Sequence, residues 1–411
     1  MNKIIKEQIL LLKPSATLAI NEESERLKKT GKKVYKFGFG QSPFPIPETV
    51  VSALKLNANK NKYLPMQGLE DLRSSIASNL NKSNKNNFKS DNIIIGPGTK
   101  ELMLLTQIAF EGEVLLPAPS WVSYNPQALI AKNKVHWINT SNNSNWFPTA
   151  QSLENKIKSI KNKNLIFFLN SPNNPSGKVC NNLKEIAEVA EKYKLLILSD
   201  EIYSKLTFSE NYESISNYYP KGTIVSSGLS KWCGAGGWRL GFLAIPEEFN
   251  QLRDSLKILC SESFTSVSAP IQYAAIEAYQ GDHSEYLKKV NKILSFVGNY
   301  VYENLKSNSI DISKPEGGFY LFPEFKNTKF SSSVEMCGDI LNKTGVALLP
   351  GSDFGLDKNK MIVRLSYTDF DGVSFLENTS GSKNLDKDDL QKYAPNIVEG
   401  VIKLKEWSKN L

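Results

Sequence analysis

The chain has 411 residues, of which 40% are hydrophobic and 10% aromatic, so it can bury a large core and we expect two compact units. This composition excludes a disordered or fibrous protein. The net charge is +8, but the lysines are dispersed along the chain, which favours solvated surface lysines over a nucleic-acid-binding face.

The N-terminal residues Met1 to Leu12 contain an apolar patch that Lys3, Lys6 and Glu7 interrupt. No small-residue cleavage site follows, so the pattern predicts an amphipathic helix and not a signal peptide. No later stretch reaches the roughly 18 apolar residues of a membrane-spanning helix. We therefore expect a soluble protein that does not associate with membranes.

Alternating short apolar and longer amphipathic runs extend from about Asn92 to Gly241, which predicts parallel strands joined by crossover helices. One such helix is predicted over Leu183 to Tyr193, with Ile186, Val189 and Ala190 on one face. Ligands bind beyond the carboxyl ends of the strands in such sheets, so the residues that follow the strands are candidate site residues. The predicted strands are Asn92–Ile95, Glu113–Leu116, Lys134–Asn139, Asn164–Leu169, Leu195–Ser199, Thr223–Ser226 and Leu240–Ala244.

After Gln272 the pattern changes to long helices and then to short strands, which predicts a smaller domain of mixed type. The segment 375–388 is rich in Asn, Ser, Gly, Asp and Lys, and we expect a surface insertion before the last helix. The short strands are predicted around Gly318–Phe322, Val346–Leu349 and Met361–Ser366.

The cysteines and histidines argue against a metal site. Cys180, Cys233, Cys260 and Cys337 lie far apart and lack the paired spacing that binds zinc. The two histidines have no companions at ligand spacing. This cysteine usage favours a reducing, cytoplasmic-type compartment.

A lysine just after the sixth predicted strand carries the most specific chemical signal. Lys231 is followed by a glycine-rich turn and, eight residues later, by Arg239. The lysine amine can form a Schiff base with an aldehyde cofactor if its surroundings keep it nucleophilic, and the arginine fork suits a phosphate. A lone lysine is usually a surface residue, so the Gly-Trp-Arg continuation at 237–239 makes the signal specific.

Polar residues also follow other predicted strands. Residues 96–101, Gly-Pro-Gly-Thr-Lys-Glu, join a strand to a helix, so backbone N–H groups at the helix start can face an anion. Asp200 ends an apolar strand, but it can also be read as a helix N-cap. Trp121 follows another strand, with a core tryptophan as the alternative, and residues 170–177 read by themselves as a turn.

These motifs, in their order from Pro14 to Tyr367, resemble those of the class I and II aminotransferases, the fold-type I pyridoxal-phosphate family. The resemblance implies an α/β fold, with a large domain over residues 51–285 whose mostly parallel seven-stranded sheet is flanked by helices. It implies a smaller α/β domain from residues 1–50 and 286–411. Pyridoxal 5'-phosphate would be the cofactor, and the reaction would move an amino group between an amino acid and a 2-oxo acid.

The resemblance also assigns roles around the cofactor ring. Lys231 would carry the cofactor, and Asp200 would keep the ring nitrogen protonated so that the ring acts as an electron sink. Tyr203 and Asn174 would hydrogen-bond the ring hydroxyl oxygen and so lower the Schiff-base pKa. Trp121 would stack on the ring.

The cofactor phosphate would be bound by residues of two subunits. Gly98, Thr99 and Arg239 would hold it within one chain. Gly228 departs from relatives that carry a phosphate-binding serine there, and Ser230 or Ser227 are candidates to compensate. Tyr63 matches a tyrosine that reaches the phosphate of the neighbouring subunit, which implies an obligate homodimer with shared active sites.

The substrate residues follow from the same resemblance. Arg364 would clamp the substrate α-carboxylate, and its apolar neighbours argue against a mere surface charge. Gly38 would lie over that carboxylate, although residues 40–43, Gly-Gln-Ser-Pro, depart from the common Gly-Glu-Pro-Asp version. Trp121 and Asn174 would also border the substrate. Lys100 and residues 13–17 resemble the distal-carboxylate segments of bacterial-type aspartate aminotransferases, which implies aspartate or glutamate as donor.

The sequence is also compatible with other functions. An aromatic, alanine or other amino acid aminotransferase, or a C–S lyase on the same fold, would keep the same cofactor residues. A ligand-sensing regulator on this fold would need an N-terminal DNA-reading domain, which the few residues before Lys13 cannot hold.

Overall fold

The computed structural model describes residues 4–12, 16–83, 85–209, 212–379, 384–409 and 411, with the backbone only at 16–18, 21 and 83. Its main sheet has seven strands in the order β1-β7-β6-β5-β4-β2-β3. These strands are β1 (Ile93–Gly96), β2 (Glu113–Ala118), β3 (Val135–Asn139), β4 (Leu165–Asn170), β5 (Leu196–Asp200), β6 (Thr223–Gly228) and β7 (Gly241–Ala244).

The seven predicted strands are confirmed, each with bounds within two residues of those observed. Strands β1, β4, β5 and β7 are buried along their whole length, which explains why they read as continuous apolar runs and not as alternating ones. The prediction of parallel strands is wrong for β7, which runs antiparallel to both β1 and β6. The physical reason is the connection 229–240, which contains a 3-10 turn at Gly236–Trp238 and no crossover helix.

Helices cover the main sheet and account for more residues than any other regular element. The predicted helix over Leu183 to Tyr193 is confirmed, and it buries Ile186, Ala187 and Ala190. The helices are α1 (Glu7–Leu10), α2 (Ala16–Lys29), α3 (Glu48–Asn57), α4 (Glu70–Ser83), α5 (Thr99–Ala109), α6 (Tyr124–Ala131), α7 (Ala150–Ser159), α8 (Leu183–Lys192), α9 (Asn250–Ser263), α10 (Ala269–Gln280), α11 (Ser284–Leu305), α12 (Ser333–Thr344), α13 (Gly372–Glu377), α14 (Lys387–Tyr393) and α15 (Pro395–Ser408).

Short strands follow α11, as expected. Three of them form a small sheet in the order β11-β12-β9, and the other two pair with each other. The N-terminal segment joins this region, since the N–H of Tyr35 donates to the carbonyl of Gly345 (2.9 Å) and the N–H of Ser366 donates to the carbonyl of Phe37 (2.7 Å). These contacts support our proposal of a small domain built from both ends of the chain. The strands are β8 (Ile310–Asp311), β9 (Tyr320–Leu321), β10 (Glu324–Phe325), β11 (Leu349–Pro350) and β12 (Val363–Ser366).

Two local expectations are wrong. Within the described residues 4–12, the N-terminal amphipathic helix is present only as the single turn of α1, and that turn buries none of its residues. The expected surface insertion at 375–388 starts inside α13, where Phe375 is buried and packs against Phe370 and Tyr393. Thr379, just after this helix, is also buried and its hydroxyl donates to the carbonyl of Phe375. Residues 380–383 of that segment lie outside the described residues.

No helix in the described ranges combines the length and apolar character needed to cross a membrane.

Candidate active site

A cavity of about 550 Å³ lies where several strands of the main sheet end. Residues that were far apart in the sequence line it together, as expected if the carboxyl ends of neighbouring strands meet at one edge. Ten of the predicted site residues are among those lining it: Thr99, Lys100, Trp121, Asn174, Asp200, Tyr203, Ser230, Lys231, Arg239 and Arg364.

Lys231 lies in the connection between β6 and β7, and its Nζ donates a hydrogen bond to the carbonyl of Gly40, 2.8 Å away. Burial lowers the pKa of this amine, the guanidinium of Arg364 lowers it further, and the carboxylate of Asp200 opposes the shift. A lower pKa leaves a larger share of the amine unprotonated and nucleophilic near neutral pH. The lysine therefore has the surroundings that reaction with an aldehyde requires.

Asp200 is the last residue of β5 and is buried. Burial raises the pKa of its carboxyl group to about 6, although hydrogen bonding by Tyr124 works against that rise. The hydroxyl of Tyr124 donates to Asp200 Oδ2 at 2.6 Å, and the side chain of Asn170 donates to the Asp200 carbonyl at 2.9 Å. Among the described residues, no cationic side chain lies within hydrogen-bond distance of this carboxylate. A buried carboxylate of this kind is suited to bind a cationic group of a ligand.

The start of α5 forms one end of the cavity, with Gly98 at its N-cap in a left-handed conformation (φ 93°). Arg239 lies against it and donates to the carbonyls of Gly236 (2.9 Å) and Pro97 (3.1 Å). A Cβ at position 98 would lie 2.3 Å from Nη2 of Arg239, so glycine allows this close approach. A helix N-terminus beside a guanidinium is a suitable anion site.

Gly228, where a phosphate-binding serine was considered, has no room for a side chain. Its Cβ would lie 2.6 Å from the carbonyl oxygen of Leu240 and 2.8 Å from Cα of Gly241, because β6 and β7 pair closely there. The hydroxyl of Ser227 donates to the carbonyl of Glu201 at 3.2 Å, whereas Ser230 lines the cavity. Of the two serines, Ser230 therefore has the better position for an anion contact.

Arg364 lies on β12 and is buried, with only 2% of its surface exposed. Nη1 donates to Oδ1 of Asn174 at 3.0 Å, and Nη2 donates to the carbonyl of Gly38 at 2.7 Å. Nε is buried and has no hydrogen-bond partner among the described residues. Among the described residues, no carboxylate lies within ion-pair distance of this buried guanidinium, which therefore suits a ligand carboxylate in the cavity.

Tyr203 and Tyr320 share a hydrogen bond between their hydroxyls, 3.0 Å apart, and both line the cavity. The Tyr320 ring also stacks on the guanidinium of Arg364, whose Cζ is 4.6 Å from the ring centre. No role was predicted from the sequence for Tyr320, Tyr124 or Asn170. Asn170 had a usable signal, since it ends an apolar strand.

Trp121 is half-buried and meets Tyr124 edge-on, with ring centres 5.3 Å apart. Its ring lies 5.5 Å from Nζ of Lys100, which also lines the cavity. Partial burial lowers the pKa of Lys100, and the nearby charge of Arg239 adds to this. Lys100 therefore lies in a positively charged part of the cavity that an anion would stabilise.

Of the predicted site residues that the structure describes, Tyr63, Gly38 and Gly98 are not among those lining the cavity. Tyr63 follows α3 and its side chain is 88% exposed. It is not among the residues that line the cavity of its own chain. In the segment 13–17, residues 13–15 and the side chains of Ala16 and Thr17 lie outside the described part of the chain.

The chain's own residues fit pyridoxal phosphate on three observations. The cavity contains an amine whose pKa is lowered, a buried carboxyl group, and a helix N-terminus flanked by an arginine. These groups are complementary to an aldehyde, a protonated ring nitrogen and a phosphate, respectively. The residues are Lys231, Asp200, Gly98, Thr99 and Arg239.

Comparisons with known proteins agree with this chemistry. A family model described as aminotransferase class I and II matches residues 32–371. The aspartate aminotransferase of Bacillus sp. (strain YM-2) is 33% identical over 384 residues, covering 89% of this chain and 95% of the relative. The probable aspartate/prephenate aminotransferase of Aquifex aeolicus is 32% identical over 382 residues, covering 89% of this chain and 95% of the relative.

Solved structures lead to the same fold. The aspartate aminotransferase from Thermotoga maritima has a TM-score of 0.82 at 26% identity and covers 98% of this chain and 99% of its own. The expected fold-type I architecture, with its mostly parallel seven-stranded sheet, is thereby confirmed. The chain belongs to the class I and II aminotransferases and is a pyridoxal-phosphate-dependent transaminase.

Proposed function

We propose that this transaminase takes a dicarboxylic amino acid, aspartate or glutamate, as amino donor and 2-oxoglutarate or oxaloacetate as acceptor. One observation carries the proposal: Lys100 and Arg364 line the same cavity as Lys231, so two cationic groups are available for two carboxylates. The names of relatives from Bacillus sp. and Aquifex aeolicus, an aspartate and a probable aspartate/prephenate aminotransferase, support this substrate class.

The proposed roles of the residues follow from their surroundings. When bound, pyridoxal phosphate supplies the aldehyde that accepts the amino group and a ring that takes up electrons from the substrate Cα. Lys231 holds the cofactor and, once its amine is free, moves the proton at the substrate Cα. Asp200 keeps the ring nitrogen protonated, and Arg364 fixes the α-carboxylate so that the Cα–H bond points toward the lysine.

The remaining site residues position the cofactor. Tyr203 and Asn174 hydrogen-bond the ring hydroxyl oxygen, and Asn174 is supported from the other side by Arg364. Trp121 covers one face of the ring. Gly38 closes over the substrate carboxylate, consistent with its carbonyl's bond to Arg364. The phosphate is held by Gly98, Thr99, Ser230 and Arg239.

The substrate proposal is tested by half-reactions of the purified holoenzyme. Aspartate, glutamate, alanine, phenylalanine and kynurenine are added one at a time, and the visible absorbance of the bound cofactor is followed. We expect aspartate and glutamate to convert the spectrum stoichiometrically and fastest. An unchanged spectrum with both acids, together with conversion by another donor, would contradict the dicarboxylic assignment.

A second candidate is an aromatic substrate. Phe39, Trp121 and Val122 line the cavity beside the cationic groups, which favours an apolar side chain of similar length. Fast conversion by phenylalanine in the same assay would favour this candidate. A C–S lyase differs in leaving the cofactor in its original form at the end of the reaction, so stoichiometric conversion by any donor excludes it as the main activity.

Replacing Lys100 by methionine should lower kcat/KM for aspartate by about 10- to 100-fold, because a charge-assisted contact to the distal carboxylate is lost. The rate with alanine, which has no distal carboxylate, should change by less than about threefold. Lys100→Arg is the matched control and should retain most of the activity. Equal losses of kcat/KM with aspartate and alanine would mean that Lys100 does not bind the distal carboxylate.

We also propose that the enzyme is a homodimer whose active sites are shared through Tyr63. This side chain is 88% exposed, and nearby Leu56 on α3 is 81% exposed, so both offer apolar surface to a second copy. A tyrosine that contacts the cofactor phosphate of the other subunit is expected to be exposed on the surface of its own chain. The compartment is proposed to be cytoplasmic, which the four free, buried cysteines support.

Hybrid dimers test the sharing directly. Co-expressed subunits with Tyr63→Ala in one tagged chain and Lys231→Ala in the other should show roughly half of the wild-type activity, because one of the two sites is then intact. Each homodimeric variant serves as a control and should be strongly impaired. A hybrid no more active than half of the Tyr63→Ala homodimer would indicate that Tyr63 serves its own chain.

A further inference from the structure

Tyr320 connects parts of the active site that come from different regions of the chain. Its hydroxyl lies 3.0 Å from the hydroxyl of Tyr203, which follows β5 of the main sheet. Its ring lies 4.6 Å from Cζ of Arg364, on β12 of the small sheet. Tyr320 itself is only 1% exposed and lines the cavity. One side chain thus contacts both the proposed ring-oxygen partner and the proposed carboxylate clamp.

We propose that Tyr320 is a positioning residue of the transamination, which orients the Tyr203 hydroxyl through its own hydroxyl and the Arg364 guanidinium through its ring. This inference rests on the proposed roles of Tyr203 and Arg364. It assigns two separable tasks to two parts of the same side chain.

The backbone around Tyr320 holds the ring at a fixed place. Tyr320 pairs with Ser366 in the β9–β12 ladder, two residues beyond Arg364. The N–H of Gly318 donates to the carbonyl of Leu206 at 2.7 Å, which ties the approach to β9 to the segment after Tyr203. A Cβ at Gly177 would lie 2.2 Å from the Tyr320 carbonyl oxygen, so a glycine is needed for this close contact. The ring therefore has little freedom to move away from its partners.

The segment that contacts Lys231 also packs on Tyr320. A Cβ at Gly40 would lie 2.0 Å from the Tyr320 hydroxyl oxygen, so glycine lets the backbone lie directly against it. The carbonyl of the same Gly40 accepts the hydrogen bond from Lys231 Nζ. Displacement of the Tyr320 hydroxyl would therefore change the contacts of Tyr203 and of the segment beside Lys231.

The hydroxyl task follows from the donor capacity of a phenol. A tyrosine hydroxyl has one proton to donate and can accept another. If the Tyr320 hydroxyl donates to Tyr203, the Tyr203 proton is free to point into the cavity, and the donation it receives makes it a stronger donor. Loss of the Tyr320 hydroxyl should therefore weaken the hydrogen bond that Tyr203 gives to the ring oxygen.

The ring task concerns Arg364. Its guanidinium is held in the plane by Asn174 and Gly38 and supported on its faces by the rings of Tyr320 and Phe354, at 4.6 and 5.2 Å from the ring centres. Stacking of this kind restricts an arginine that must present its fork to a carboxylate. Removing the Tyr320 ring should weaken carboxylate binding without any change in the charge of Arg364.

The two tasks predict different effects for Tyr320→Phe and Tyr320→Leu in the holoenzyme. Tyr320→Phe should raise the pH midpoint of the visible absorbance change by about 0.5 to 1, because less charge is withdrawn from the ring oxygen. Its affinity for maleate, a dicarboxylate without an amino group, should stay within about twofold of wild type. Tyr320→Leu should show the same midpoint change and bind maleate about 3- to 30-fold more weakly.

A double-mutant cycle isolates the hydrogen bond between the two tyrosines. In the Tyr203→Phe background, Tyr320→Phe should cause no further change in the midpoint, because the Tyr203 hydroxyl that links Tyr320 to the ring oxygen is already absent. Tyr367→Phe is the matched control, because Tyr367 is equally buried and its hydroxyl donates to the carbonyl of Gly318 at 3.3 Å. This control should leave both the midpoint and maleate binding unchanged.

The outcomes separate this inference from the proposed function. Additive midpoint changes in the cycle, or a Tyr320→Phe midpoint equal to wild type, would overturn the hydroxyl task. Equal maleate affinities for Tyr320→Leu and Tyr320→Phe would overturn the ring task. A wild-type protein that bound maleate but formed no coloured complex with pyridoxal phosphate would instead refute the proposed role of Lys231.

Discussion

Replacing Lys231 by alanine should reduce kcat/KM for aspartate by about 10⁴-fold or more, because the same amine holds the cofactor and moves the proton at the substrate Cα. The fold should survive, since the one hydrogen bond that the lysine amine makes within the described residues goes to the carbonyl of Gly40. The measurement is steady-state activity, together with the thermal unfolding temperature of the variant.

Lys205 provides a matched control for this prediction. Burial lowers the pKa of its amine to about 8, and the amine lies 4.2 Å from the ring centre of Trp232. It is thus another partly buried lysine with a lowered pKa, but it is not among the described residues that line the cavity. Lys205→Ala should keep the rate within about threefold of wild type. An active Lys231→Ala enzyme would contradict the assignment of the lysine.

Replacing Asp200 by asparagine should reduce kcat by about 100- to 1000-fold, because a neutral amide cannot stabilise the protonated ring nitrogen as a carboxylate does. Tyr124 hydrogen-bonds the carboxylate and should bond the amide oxygen equally well, so the structure around the site should be retained. The Tyr124→Phe variant separates the two contributions, and we expect it to lose much less activity than Asp200→Asn.

The pH dependence of cofactor binding provides a second measurement on Asp200. Burial raises the pKa of its carboxyl group to about 6 in the cofactor-free protein. At pH 5 most of these carboxyl groups are therefore protonated, and the proton must be released before the carboxylate can bind a cationic ring. Lowering the pH from 7 to 5 should therefore weaken binding of pyridoxal phosphate by about tenfold more in the wild type than in Asp200→Asn. The variant corrects for titration of the cofactor phosphate, which is common to both proteins. Identical pH dependences would argue against an ionised Asp200 at the ring.

Strands β1, β4, β5 and β7 of the main sheet were predictable because they are buried along their whole length. Such strands appear as continuous apolar runs, and β4 and β5 differ from their predicted bounds by one residue at each end. The direction of β7 was not predictable from its own residues. It depends on the connection 229–240, whose lack of a crossover helix is a property of the loop and not of the strand.

The candidate site was predictable where chemistry follows a strand in sequence. Lys231, Asp200 and the start of α5 all stand at such positions, and the fold brings them to one cavity. Tyr320 and Tyr124 were missed because their partners, Tyr203 and Asp200, are 117 and 76 residues away along the chain. No local pattern records a contact of that range, so only the folded chain reveals it.

Reduction with borohydride tests directly which lysine holds the cofactor, because it fixes the cofactor to that lysine. Peptide mass mapping of the reduced holoenzyme should then find the added mass on Lys231. The competing sites are Lys100 and Lys205, the other described lysines whose pKa is lowered. Label on either of these with none on Lys231, or no label at all, would contradict the account.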